Sequence, residues 1–159
     1  MTALDAFDRR LLALVQRDAS LTSDELATDV GLSPSAIQRR LKRLRSKGVI
    51  SGIHAMVEPA MVGRPMFFIV GLEIERERPE LLSRLRTWLN DEDAVQEVFY
   101  VTGAADFIIV VVVRDIAAYD TLMARMLADN PNVRRFTTNV ALSIHKRSLF
   151  LPIGEAEQA

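Results

Sequence analysis

The chain has 159 residues, of which 49% are apolar, enough for one or two small packed domains. It contains no apolar run of about twenty residues, its start (MTALDAFDRR) lacks a hydrophobic signal region, and it has no cysteine. A membrane-spanning or secreted protein, a disulfide framework and a thiolate metal site are therefore not expected, and a cytoplasmic location is. The net charge of −1 conceals an asymmetry. Residues 1–64 carry 10 Lys and Arg against 7 Asp and Glu (+3), and residues 65–159 carry 10 against 14 (−4). Only the amino-terminal part is expected to meet a polyanion.

In chain order, Phe7, Leu11, Leu14 and Val15 mark a first helix over about residues 6–17, with Asp5 as a candidate cap. Thr22 followed by Glu25 is a capping box, so a second helix starts there. Leu26, Ala27 and Val30 form its apolar face, and Gly31 can end it in the left-handed conformation. Ser33 then caps a third helix, with Pro34 at the first position, where its missing N–H costs nothing. Ile37, Leu41 and Leu44 lie at i, i+4 and i+7 and make one buried stripe. The rest of that helix is polar or basic, from Gln38 and Arg39 to Lys47, and no acidic residue occurs between Asp29 and Glu58. Two short helices, a glycine turn and a cationic outer face predict a helix-turn-helix reader of DNA. A basic helix is usually only a solvated face, but such faces normally carry Glu at i±4. Without it, the sequence implies that a polyanion relieves the repulsion.

Residues 49–57 alternate loosely and predict a short strand or ribbon. Residues 58–65, with two prolines and a glycine, read as a linker. The remainder reads as two similar halves: strand 66–75, helix 79–89, strand 95–102, a Gly-Ala-Ala turn, an apolar run over 106–113, helix 116–128 and strand 133–144. That βαββαβ order is the ferredoxin-like arrangement, a sheet with both helices on one face. The whole is an α+β chain: residues 1–57 a three-helix, winged-type helix-turn-helix domain, 58–65 a linker, 66–149 the ferredoxin-like domain, and 150–159 a tail. Residues 107–113 (FIIVVVV) are apolar on both strand faces, whereas a half-covered antiparallel sheet should alternate. Leaving such side chains exposed forgoes roughly 1.5–3 kcal/mol each, so the second face is expected to be buried against another copy. A dimer also suits a twofold, palindromic site.

The segments LDAFDRRLLALVQRDA, SDELATDVGLSPSAIQRRLKRLRSKGVISGIHAMVEPAMVG and VTGAADFIIVVV closely resemble the Lrp/AsnC, or feast/famine, family of bacterial and archaeal transcriptional regulators. The resemblance extends to about Leu149; its most specific parts are Asp5 with Asp8, the ELA…VGLS…R…L…GVI pattern, and the turn from Gly103 to Asp106. It implies a winged-type helix-turn-helix, a carboxy-terminal effector and oligomerisation domain, homodimers that assemble into octamers or related rings, and a response to amino acids or similar small metabolites. Two departures stand out. Ser20 replaces a frequent arginine and Arg45 a frequent glutamate, with opposite effects on phosphate binding.

On the third helix, Ser33, Ser35, Gln38 and Arg39 occupy the early turns that enter a major groove; Gln pairs well with adenine and Arg with guanine. Thr22, Arg40, Lys42 and Arg43 are assigned to phosphate. Arg45 and Lys47 sit late on the helix, where solvated charge favoured by its dipole is expected. For the effector, the turn at Gly103, Ala104 and Ala105 offers backbone N–H groups to a carboxylate, and Asp106 can pair with an ammonium. The competing reading is that Gly103 merely permits the turn while Asp106 bonds its backbone. By the resemblance the turn lies at an interface between dimers and includes Tyr100 and Thr102, with Thr137, Thr138 and Ser143 facing the ligand from a partner; the small Ala105 implies a wider pocket. His54 and His145 are far apart with no carboxylate or cysteine pattern around them, so no metal, cofactor or catalytic site is expected. The resulting expectation is a nucleoid-associated, sequence-specific regulator tuned by an amino acid. The alternative is an architectural DNA-binding protein with no effector.

Overall fold

A computed structural model of the chain describes residues 4–153. These divide into two compact units, one running to Ala55 and resuming at Lys146, the other spanning Met56–His145.

The first unit contains α1 (Ala6–Val15), α2 (Ser23–Val30) and α3 (Pro34–Ser46). Each begins on its expected cap. Asp5 accepts the Asp8 N–H at 2.8 Å, Thr22 accepts from Glu25 at 3.3 Å, and Ser33 accepts from Ala36 at 3.3 Å. Gly31 ends α2 at φ 79°, the left-handed conformation that a side chain would disfavour. Leu11, Leu26, Ile37 and Leu44 close the core between the helices.

Residues 49–57 do not form the expected strand. A strand needs a neighbour for its backbone hydrogen bonds, and no described segment pairs with this one. The expected linker folds locally into a 3-10 turn, Pro59–Val62, closed by Gly63 at φ 71°. Beside the expected domain end at residue 149 and the expected tail, the chain returns to the first unit. From Lys146 the chain belongs to the first unit. Leu151 exchanges two hydrogen bonds with the Gln16 side chain (2.8 and 3.2 Å), Arg17 lies 5.4 Å over the Phe150 ring, and Ile153 packs on the three-helix core. Ile153 recovers apolar burial there, while Leu149 and Leu151 stay exposed at 87% and 69%. The remainder of the expected tail lies outside the described residues.

The second unit has β1 (Met66–Ile74), α4 (Pro79–Asp91), β2 (Val95–Tyr100), β3 (Phe107–Val113), α5 (Ile116–Asp129) and β4 (Val133–Val140). The sheet is antiparallel in the order β2-β3-β1-β4, the ferredoxin-like arrangement. Phe68, Val70 and Leu72 of β1 and Phe107, Ile109, Val111 and Val113 of β3 point to the helices, where Leu85, Leu89, Leu122 and Met126 cover them. On the other face Ile69 is 44% and Phe99 49% exposed, Ile108 and Val110 are half-buried, and Phe67 and Val112 are buried. That face is apolar and carries no helix of the second unit.

Candidate nucleic-acid interface and effector turn

Helical geometry sorts the third helix into three strips. Ile37, Leu41 and Leu44 point inward and are buried. Ser35, Gln38, Arg39 and Lys42 follow one another at i, i+3, i+4 and i+7 on the opposite side, all exposed. Ser33 and Ser35 sit at the start of that side with their hydroxyls 3.2 Å apart.

Arg40 and Arg43, assigned to phosphate, form the third strip, and each is held in ion pairs within the chain. Arg40 bonds Asp5 at 2.7 Å and Asp8 at 2.8 Å, while Arg43 bonds the other Asp8 oxygen at 2.5 Å. The Asp8 side chain is buried, and Arg40 also lies 5.5 Å from the Phe7 ring centre. Burial pushes the Asp5 carboxyl up, but the Asp8 N–H and the Arg40 guanidinium outweigh it and hold the group below its ordinary value. The same carboxylates raise Arg40. Arg40 and Arg43 therefore have an internal counter-charge, whereas the salt bridges of the described residues include none to Arg39, Lys42, Arg45 or Lys47.

Asp8 was seen in the sequence only as part of a family pattern. The signal that marks its role is its place three and four residues before the buried Leu11 and Leu12: an acid on the core side of an amphipathic helix needs a buried partner. Thr22, also assigned to phosphate, engages its hydroxyl in the cap, donating to Glu25 at 2.7 Å and accepting from the Glu25 N–H. The Thr22 N–H and hydroxyl hold Glu25 below its ordinary value.

The Gly103 turn forms as expected. Val101 N–H reaches the Asp106 carbonyl at 2.9 Å, and Gly103 adopts φ 130°, open to glycine and rarely to other residues. Thr102, Gly103 and Ala104 are exposed at its tip. Asp106 is not simply presented to solvent. Its carboxylate accepts the Ile74 N–H at 2.8 Å, where the pairing of β1 with β4 shifts register, and its N–H donates to Leu72. It thus bonds a neighbouring strand, close to the structural alternative for this residue. Ala105 lies over Gly71, where an added Cβ would stand 3.2 Å from the alanine methyl. Tyr100 is exposed, its ring tilted on Phe107 at 5.0 Å.

Thr137 pairs with Gly71 and Thr138 with Val70, so the two threonines point to opposite faces. Thr138, expected beside an effector, turns toward the helices and shares a 2.5 Å hydrogen bond with Tyr119. Burial pushes the Tyr119 phenol up despite that bond. Thr137 lies on the open face. Ser143 bonds His145 at 3.1 Å. Among the described residues no group of three or more His, Cys, Asp or Glu could hold a metal ion.

Comparison with known proteins matches residues 4–51 to a winged helix-turn-helix DNA-binding family and residues 68–149 to the Lrp/AsnC ligand binding domain. The chain belongs to the Lrp/AsnC family. It is 43% identical to the HTH-type transcriptional regulator y4tD of Sinorhizobium fredii, over 94% of this chain and 89% of that one. It is 30% identical to the leucine-responsive regulatory protein of Escherichia coli, over 91% and 88%. An AsnC family transcriptional regulator of Agrobacterium tumefaciens superposes with TM-score 0.87 at 31% identity, covering 94% and 97% of the two chains. A regulator of Neisseria meningitidis, solved as a complex with L-Met, gives TM-score 0.87 at 25% identity over 94% and 97%. This Lrp/AsnC chain is a DNA-binding transcriptional regulator with a ligand-binding domain. No described helix is long and apolar enough to cross a membrane.

Proposed function

We propose that this regulator reads a palindromic operator as a homodimer or larger ring, and that an amino acid bound at the Gly103 turn adjusts its assembly or its grip on DNA. One observation carries the reading: a solvent-facing glycine turn, exposed at residues 102–104, borders an apolar sheet face on which Ile69 and Phe99 are exposed. The turn can receive a carboxylate through its N–H groups, and Tyr100, Ala105 and Thr137 lie around it. The relative solved with L-Met supports an amino acid as the ligand class. Ser35, Gln38 and Arg39 are the base-reading side chains, and Lys42 the phosphate contact, in this proposal. The apolar face of Ile69, Phe99, Ile108 and Val110 is assigned to a second copy, which recovers the free energy of burying those side chains.

An effector shifts an equilibrium only by its unequal affinity for the two states. The test is a gel-shift titration of operator DNA with L-methionine, L-leucine and other amino acids, paired with light scattering on the same samples. A ligand that changes operator affinity or mass in the native protein, and does neither in G103V, is the expected result. Constancy of both across all amino acids overturns the effector part and leaves a protein that only organises DNA.

A further inference from the structure

A cleft of about 330 Å³ lies in the second unit, at the far end of β3 from the Gly103 turn. The strand's seven residues set the two about 20 Å apart. Three arginines from separate segments line it: Arg64 at the end of the linker, Arg114 after β3, and Arg125 on α5. Two carboxylates answer them. Glu92 pairs with Arg125, and Asp115 pairs with Arg114 at 3.1 Å. Arg64 has no ion pair among the described residues. One negative charge is thus missing from a concavity whose floor, Ala94, Val113 and Leu122, is apolar.

We propose that this cleft is a second small-molecule site, separate from the amino-acid site at the turn, for a small oxyanion: a carboxylate or phosphate metabolite with a short apolar portion. Arginine is suited to it because its planar fork meets such groups with two donors at once. Thr121 donates its hydroxyl to the Ala117 carbonyl, so it offers the ligand an acceptor only and leaves recognition of the anion to the arginines. The bound anion would also fasten Arg64, whose backbone N–H closes the linker turn on Pro59 at 2.8 Å. Occupancy would therefore fix the end of the segment that leads from the first unit to the second.

The chain carries its own reporter. Trp88 is its single tryptophan, and the Arg125 guanidinium lies 5.4 Å from the centre of its ring. Drawing Arg125 toward an anion changes that contact and hence the indole emission. The full-length protein is titrated with inorganic phosphate and with citrate at ionic strength held constant by chloride, following Trp88 emission and, in parallel, calorimetric heat. A saturable response to either anion and none to chloride is expected. R64Q and R114Q should each bind about tenfold more weakly, equivalent to about 1.4 kcal/mol, with unchanged unfolding midpoints. Absence of saturation in both readouts, or equal affinity in wild type, R64Q and R114Q, overturns the proposal. Since G103V leaves this cleft intact, its phosphate affinity should match wild type, which keeps the outcome independent of the amino-acid site.

Discussion

Replacing Asp8 with Asn keeps the side-chain volume and removes the one charge that faces both Arg40 and Arg43. The carboxylate is buried, with bonds of 2.8 and 2.5 Å to two guanidinium groups. Breaking a buried ion pair from one side costs about 3–5 kcal/mol, mostly through the partner left unpaired. Here the stranded arginines retain solvent contact, their side chains being 22% and 40% exposed, so the low end, about 3 kcal/mol, applies. At about 4–8 °C per kcal/mol for a unit of this size, its melting midpoint should fall by more than about 10 °C. Far-UV circular dichroism follows the helices of both units, while Trp88 reports only the second, so the early transition should appear in the first signal and not in the second. A further effect runs the other way. At temperatures where D8N is folded, Arg43 is released to meet phosphate while Arg40 keeps Asp5, and the slope of log affinity against log salt should steepen by up to about 0.9. A loss below about 1 kcal/mol with an unchanged salt slope would refute the idea that Asp8 holds the reader helix and withholds its flanking charges.

Arg39→Ala should relax base preference at one operator position by about 1–3 kcal/mol, whereas Lys42→Ala should weaken all sequences alike and flatten the salt slope by about 1; competition binding against operator variants separates the two. Ile69→Glu places a charge at the centre of the open sheet face and should convert the assembly to monomers in light scattering, with the far-UV spectrum preserved. Asp5 titrates below its ordinary 3.8, so its stabilisation is fully present above that pH and disappears as pH falls from 3.8 through the lowered value. Asp5→Ala should therefore lower stability at pH 7 and lose that deficit in acid, read from urea midpoints across the range.

What was legible in the sequence was local. Asp5, Thr22, Ser33 and Gly31 announce helix ends because a cap is an interaction between residues three apart, or a single backbone angle. The βαββαβ order followed from hydrophobic period alone. Failures arose where the partner is distant in sequence. Residues 49–57 have strand-like alternation, but whether a strand forms depends on a neighbour that no local pattern records. Arg40 and Arg43 looked free because their acids lie about 35 residues earlier. Thr137 and Thr138 could have been separated in advance, since consecutive strand residues point to opposite faces; only the register with Gly71 and Val70 tells which faces which.

The return of Leu151 to Gln16 makes the ferredoxin-like unit an insertion within a DNA-reading unit whose last piece is supplied from beyond it. A fragment cut at the end of the helix-turn-helix would lack the strap that lies on α1, so such a fragment is an incomplete proxy for the reader in the whole protein. The polypeptide also crosses between the units twice, near residues 55 and 145, rather than once.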